Sequence, residues 1–312
     1  MTDAALDPIL QVVADDPHDV YRELRENHPV HYIEKRDLWV VSRYEDIQQM
    51  IKDPETWTSE HGVLPNPYRP DNPTLITIDP PSHTVMRRSV NRAFTPRRIE
   101  AMSGRIREMT RELVAALPAR GEVDIFDCFT DPLPINVMGE LLGVDPELRP
   151  MFKRCGDAIV YPGQHDPETI RKAEAELTDY LAQVFAERRK QPRDDLISVL
   201  MTSSEEGDAL SEAELLGLCF LLLVAGTETT TSALGNAILL LEEHEETRAR
   251  LVADASLLPS ACEEILRYDS PVQGLSPLEP ELSPASRIVS SPLSWGGSGG
   301  SGGAGGSSEA CA

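Results

Sequence analysis

A carboxylate in the middle of an apolar run is the first chemical signal in this 312-residue chain. Leu215 to Leu241 reads LLGLCFLLLVAGTETTTSALGNAILLL, with Ala225-Gly226-Thr227 before Glu228 and Thr229-Thr230 after it. A carboxylate buried in such a run is costly unless it is paired or hydrated. Desolvation also raises its pKa, toward values suited to moving protons. A second signal is Asp79-Pro80-Pro81-Ser82-His83, with Arg87 four residues beyond His83 on one helical face. Arg88, Arg92, Arg97 and Arg98 follow and make a basic island. The plain reading of the island is a solvated helix face. The functional reading is a site for ligand carboxylates or for an acidic partner. A third signal is Glu264 and Arg267, three apart on a helix, a spacing that also suits an ordinary surface pair.

Three readings of the central run compete. A transmembrane helix has the length, but the unbroken apolar part, Leu215 to Gly226, falls short of the ~18 residues a span needs. A central Glu followed by three Thr, with no basic flank, also suits lipid poorly. A plain core helix is the second reading. The third is a core helix with a functional kink, because Gly beside Thr loosens the backbone ladder and admits water or a small ligand.

The elements that position these residues follow from periodicity. Pro17 to Glu26 reads as a short helix. Val30 to Ile33 and Leu38 to Ser42 read as a hairpin around the charged turn 34–37. Asp46 to Ile51 is helical, and residues 60–75, with four Pro, read as a long functional loop. Residues 99–117, 136–142, 147–160 and 167–190 have helical period, and Gly121 to Phe126 suits a short strand. Ser211 and Glu214 form a capping box before the central helix. His244 to Leu251 and Ser260 to Tyr268 are further helices. The expected fold class is therefore mainly α with a small β-sheet region.

The net charge of −23 argues against nucleic acid or anionic membranes as partners. The start of the sequence lacks a charged-then-apolar leader, so a cytoplasmic protein is expected. None of the five Cys forms a CxxC pair and there is no HExxH, which argues against zinc and against a disulfide framework. After Leu275 the composition turns to Ser and Pro, then to GGSGGSGGAGGSS. Residues 1–275 are thus expected to form a domain and 276–312 a disordered tail, with a change of reading frame near Ser276 as one explanation.

In this order and spacing the motifs resemble the soluble bacterial cytochrome P-450 family of haem-thiolate monooxygenases. The resemblance runs from about Pro17 to Leu275. The hairpin through Trp39-Val40-Val41-Ser42-Arg43-Tyr44-Glu45-Asp46 is similar to the family's first sheet. Asp79 to His83 with Arg87 resembles its C-helix motif, and Ala225 to Thr229 its oxygen-binding groove. Glu264 and Arg267 resemble its ExxR pair. The resemblance implies haem beneath the kink at Gly226, against Ala225, with His83 and Arg87 on the propionates. It implies Glu228 and Thr229 as the proton-delivery pair, a hydrophobic small-molecule substrate, and a ferredoxin-type electron donor docked near Arg88 and Arg92.

The family's Phe-Gly-x-Gly-x-His-x-Cys-x-Gly loop has no counterpart. Read back from Cys311, the Phe position is Ala304 and the His position is Glu309, and only Gly305 fits. The expectation is a C-terminally truncated family member, with one apolar face of the central helix uncovered. Its alternative fates are an inactive fragment or a weak haem binder. Cys128, Cys155, Cys219 and Cys262 are expected to be small core residues.

Overall fold

The computed structural model describes residues 6–7, 17–60, 73–119, 121–160, 165–203, 210–272 and 287–290. The fold is mainly helical with one small sheet. Its described residues divide into two compact units, one drawn from 1–67 and 232–310, the other from 68–231. The division falls inside the central helix, between Thr231 and Ser232.

In the first unit, α1 (His18–Asn27) precedes β1 (Val30–Ile33) and β2 (Leu38–Val41), which pair antiparallel as a hairpin. Asp37 turns the chain at φ +49°, a left-handed conformation that a short polar side chain tolerates. Leu24, Ile33, Leu38 and Val40 are buried together under this hairpin. β3 (Arg287–Ser290) pairs parallel with β2. That strand lies in the stretch expected to carry no packed structure, and the backbone ladder of Leu38–Val41 gives it a partner. α2 (Tyr44–Met50) follows the hairpin. α10 (Glu245–Ala253) and α11 (Leu258–Tyr268) also belong to this unit, and neither buries a residue fully. Leu239 of the central helix, Val252 of α10, and Leu258 and Leu266 of α11 are exposed.

The second unit is a helical pack. It contains α3 (Ser82–Ala93), α4 (Pro96–Ala116), α5 (Pro132–Leu142), α6 (Arg149–Val160), α7 (Pro167–Lys190) and α8 (Leu196–Ser203). Sequence signals set several boundaries. Thr95 Oγ1 accepts from Arg98 N before Pro96, and Asp166 Oδ1 accepts from Glu168 N and Thr169 N before Pro167. Gly121 to Phe126 forms no strand. The chain there enters a π turn, Phe126–Thr130, that leads into α5.

The central helix, α9 (Glu212–Glu243), begins at the expected capping box. Ser211 N donates to Glu214 Oε2 at 2.7 Å, and Glu214 N donates to Ser211 Oγ at 3.2 Å. By length and composition α9 could cross a membrane. Its first half instead buries Leu215, Leu218, Cys219 and Leu223 in the core of the second unit, beside Phe152, Phe185 and Leu200.

Candidate functional site

Consecutive residues on an α-helix point about 100° apart, so Glu228 and Thr229 of α9 occupy different faces. The helix runs unbroken through both residues. Three threonine hydroxyls bond back to its carbonyls. Thr227 Oγ1 donates to Leu223 O (2.8 Å), Thr229 Oγ1 to Ala225 O (2.7 Å) and Thr230 Oγ1 to Gly226 O (3.0 Å). Ala225 is exposed and Thr229 lies one turn on along the same face. Gly226 does not face outward with them. It is pressed against Met138 of α5. An apolar ligand against the outward face of α9 would meet Ala225 and Thr229.

Glu228 faces a recess lined also by Asp131, Lys153, Asp157, Thr227 and Thr231. The recess is small, about 20 Å³, room for a water molecule. Lys153 Nζ donates to Asp131 Oδ1 at 2.8 Å and stands 3.3 Å from Asp157 Oδ2. It also sits 5.8 Å from the centre of the Phe126 ring. Burial pushes the Glu228 carboxyl above its ordinary range, Asp157 and Asp131 push it further, and the Lys153 ammonium opposes them. Burial pulls Lys153 down, but its bond to Asp131 and the charge of Asp157 leave it raised overall. Sequence reasoning missed this cluster. Its only local trace is the four-residue spacing of Lys153 and Asp157, since Asp131 comes from a separate turn.

His83 and Arg87 lie one turn apart on α3, His83 half-buried and Arg87 exposed. Together they form a pair of donors suited to carboxylates. Arg88, Arg92, Arg97 and Arg98 are exposed along α3 and the start of α4. In the other unit, Arg267 grips Glu264 in a bidentate pair, Nε to Oε2 and a terminal nitrogen to Oε1, each at 2.7 Å. The hydrogen bonds hold Glu264 below its usual range and Arg267 above its own.

Of the cysteines expected in the core, Cys155 and Cys219 are buried. Burial pushes their thiols up to about 11 and about 12. Cys262 is exposed and Cys128 half-buried, because α11 buries no residue fully and Cys128 sits in the π turn. Most of the proposed loop (61–72), and all of Ala304, Gly305, Glu309 and Cys311, lie outside the described residues.

Residues 148–276 match the family model described as Cytochrome P450. The chain is similar to Cytochrome P450 107B1 of Saccharopolyspora erythraea, 39% identical over 275 residues, which cover 83% of this chain and 67% of the relative. It is 32% identical over 291 residues to Cytochrome P450 109 of Bacillus spizizenii, covering 89% of this chain and 70% of that one. Among solved structures it is similar to CYP109E1 from Bacillus megaterium in complex with testosterone. That match has a TM-score of 0.77 and 33% identity, over 90% of this chain and 77% of the other.

Proposed function

The chain belongs to the cytochrome P450 family of haem-dependent monooxygenases, oxidoreductases that insert one oxygen atom of O2 into a small molecule, and from that premise we propose the roles of its own residues. The haem, when bound, supplies dioxygen activation. His83 and Arg87 fit its propionates. Two cationic or neutral nitrogen donors one helical turn apart can each give a charge-assisted bond to a carboxylate. Ala225 and Thr229 form the face of α9 that borders the reacting molecule. Gly226 acts from behind by letting α9 approach Met138. Glu228 holds or releases the proton, and the Thr229 hydroxyl orients the water that carries it. Glu264 and Arg267 act as a structural pair.

Cys155 and Cys219 are held as buried thiols, and no haem-Cys loop occurs in the sequence. The proposal therefore assigns the propionate side of the cofactor and no residue to its axial side. The substrate is proposed to be a hydrophobic small molecule, which the testosterone complex of a similar protein supports. The electron donor is proposed to be an acidic ferredoxin-type protein. Exposed Arg88, Arg92, Arg97 and Arg98, in a chain of charge −23, support that choice. Cytoplasmic residence, with no nucleic-acid or membrane partner, completes the proposal.

What carries this reading is the sequence match to cytochromes P450, with His83 and Arg87 on α3 and the Ala225–Thr229 turn of α9 falling in the same compact unit. The test is the absorption spectrum of the haem-supplied, reduced protein under carbon monoxide. A strongly red-shifted Soret band is expected of a monooxygenase with thiolate ligation. A band of histidine or water ligation would overturn the monooxygenase and leave a haem binder. Failure to retain haem would overturn both.

A further inference from the structure

Both faces of β2 are covered. Leu38 and Val40 are buried in one cluster with Leu24 and Ile33, and Val41 packs with Met50 and Trp39 in another. β1 is the more open strand and leaves Val30 exposed. A strand buried on both faces must pair its backbone groups along both edges, because a buried amide or carbonyl without a partner is costly. β1 serves one edge of β2. Ser42 N donates to Pro29 O at 3.0 Å, one step beyond the last paired residues of the hairpin. Antiparallel pairs alternate between bonded and non-bonded. The bonded pairs are therefore His31 with Val40 and Ile33 with Leu38, and the amides and carbonyls of Trp39 and Val41 turn to the opposite edge. β3 lies on that edge, with Trp39 opposite Ile288 and Val40 opposite Val289. In this parallel register Val289 turns its amide and carbonyl toward β2, between Trp39 and Val41, while those of Ile288 turn away.

We propose that the outer edge of β2 is a docking slot for an extended peptide segment, and that residues 287–290 fill it as the chain's own exchangeable ligand. The demand is set by the backbone groups of Trp39 and Val41, so any extended segment that matches them in parallel satisfies it. Ile288 and Val289 suit the slot because β-branched residues favour extended backbone. Pro284 and Pro292 stand on either side and carry no amide, which confines the pairing to a short ladder. Residues 273–286 join that ladder to the end of α11, so β3 reaches its slot intramolecularly. A tethered segment of this kind meets its site at an effective concentration of roughly millimolar. A free peptide of the same pattern therefore competes for β2 once its own concentration exceeds that value.

The test is residue-resolved amide hydrogen exchange on the full chain, and it needs no haem. In the wild type the amides of Leu38, Trp39, Val40 and Val41 are all expected to be protected. In Val289→Pro those of Trp39 and Val41 are expected to lose protection, while Leu38 and Val40, bonded to β1, keep theirs. Ile288→Pro removes an amide that faces away from β2 and is expected to leave all four protected. The free peptide ASRIVSSP, residues 285–292, added to Val289→Pro at millimolar concentration, is expected to restore Trp39 and Val41. The same peptide with proline at the Val289 position is not. Unchanged protection of Trp39 and Val41 in Val289→Pro would overturn the pairing. Loss at all four amides would make β3 a structural part of the hairpin and overturn its exchangeability, and failure of the peptide to restore protection would overturn the slot. Wild-type protection that grows with protein concentration would overturn the assignment to the chain's own segment and give the slot to a second copy. If Val289→Pro does not fold, the wild type is titrated with isotope-labelled peptide instead. The peptide's Val289 amide is then expected to gain protection as the chain's own loses it, and no such exchange would overturn the proposal.

Discussion

Gly226 of α9 and Met138 of α5 are in closest possible approach: a Cβ at Gly226 would lie 2.6 Å from Met138 Sδ and 3.0 Å from its Cγ. The glycine is thus a packing device. It lets a long helix lie against its neighbour at the level where Ala225 and Thr229 face the other way. The backbone ladder remains intact at this point.

Gly226→Ala should therefore destabilise the protein. Overpacking a core position costs about 1–3 kcal/mol, and the better helix propensity of Ala returns up to about 1 kcal/mol. Met138 is 8% exposed and has little room to retreat. Shortening it in Gly226→Ala/Met138→Ala should relieve the clash, so that the double variant loses less than the two single losses combined. Urea unfolding of all four proteins reads this coupling. Strict additivity would show that the two residues do not press on one another.

Asp195→Ala should be more damaging. Arg188 Nε donates to Asp195 Oδ2 at 2.6 Å, and another guanidinium nitrogen donates to Gly143 O at 2.8 Å, with both charged side chains buried. Asp195 Oδ1 also caps α8 by accepting from Ser198 N at 2.8 Å. Three helix ends, those of α5, α7 and α8, meet at this pair. Removing one partner leaves a buried charge uncompensated, which costs about 3–5 kcal/mol. Thermal unfolding should show a large loss for Asp195→Ala. A loss no greater than that of an exposed pair such as Lys172–Glu168 would refute the clamp.

Glu228→Gln should change stability in a pH-dependent way. Burial raises the folded-state pKa of Glu228 above its ordinary 4.5, so the folded protein binds that proton more tightly than the unfolded chain does. The stabilisation from this group is fully present below 4.5 and is lost as pH rises through the folded value. The neutral amide escapes that loss. The melting temperature of Glu228→Gln relative to wild type should therefore climb between acid and neutral pH. A difference that stays flat with pH would mean that the carboxyl is not desolvated.

Local signals made much of the fold legible. The charged turn at 34–37 marked the hairpin, Ser211 and Glu214 marked the start of α9, and Glu264 and Arg267 formed the pair their spacing suggested. What stayed hidden depends on contacts between distant segments. Nothing near Gly226 in the sequence names Met138 as its neighbour. Nothing near Glu228 names Lys153, whose partner Asp131 follows the π turn Phe126–Thr130 in a separate segment. The choice between a plain and a kinked central helix stayed open in the sequence, because a threonine beside a glycine can either open a helix or bond back to it.

Arg87→Ala should separate haem affinity from folding. Arg87 is exposed on α3, so its truncation should leave the stability of the cofactor-free protein within about 0.5 kcal/mol of wild type. A charge-assisted bond to a propionate is worth about 1.5–3 kcal/mol, so haem affinity should fall by about tenfold or more. Arg87→Lys should recover part of it, since an ammonium keeps the charge but not the planar fork. His83→Ala should weaken binding in the same direction, and the pair Arg87→Ala/His83→Ala should be the weakest. Haem titration followed by the Soret band measures all four. Unchanged affinity in Arg87→Ala would remove this residue from the propionate site, whatever the iron ligand proves to be.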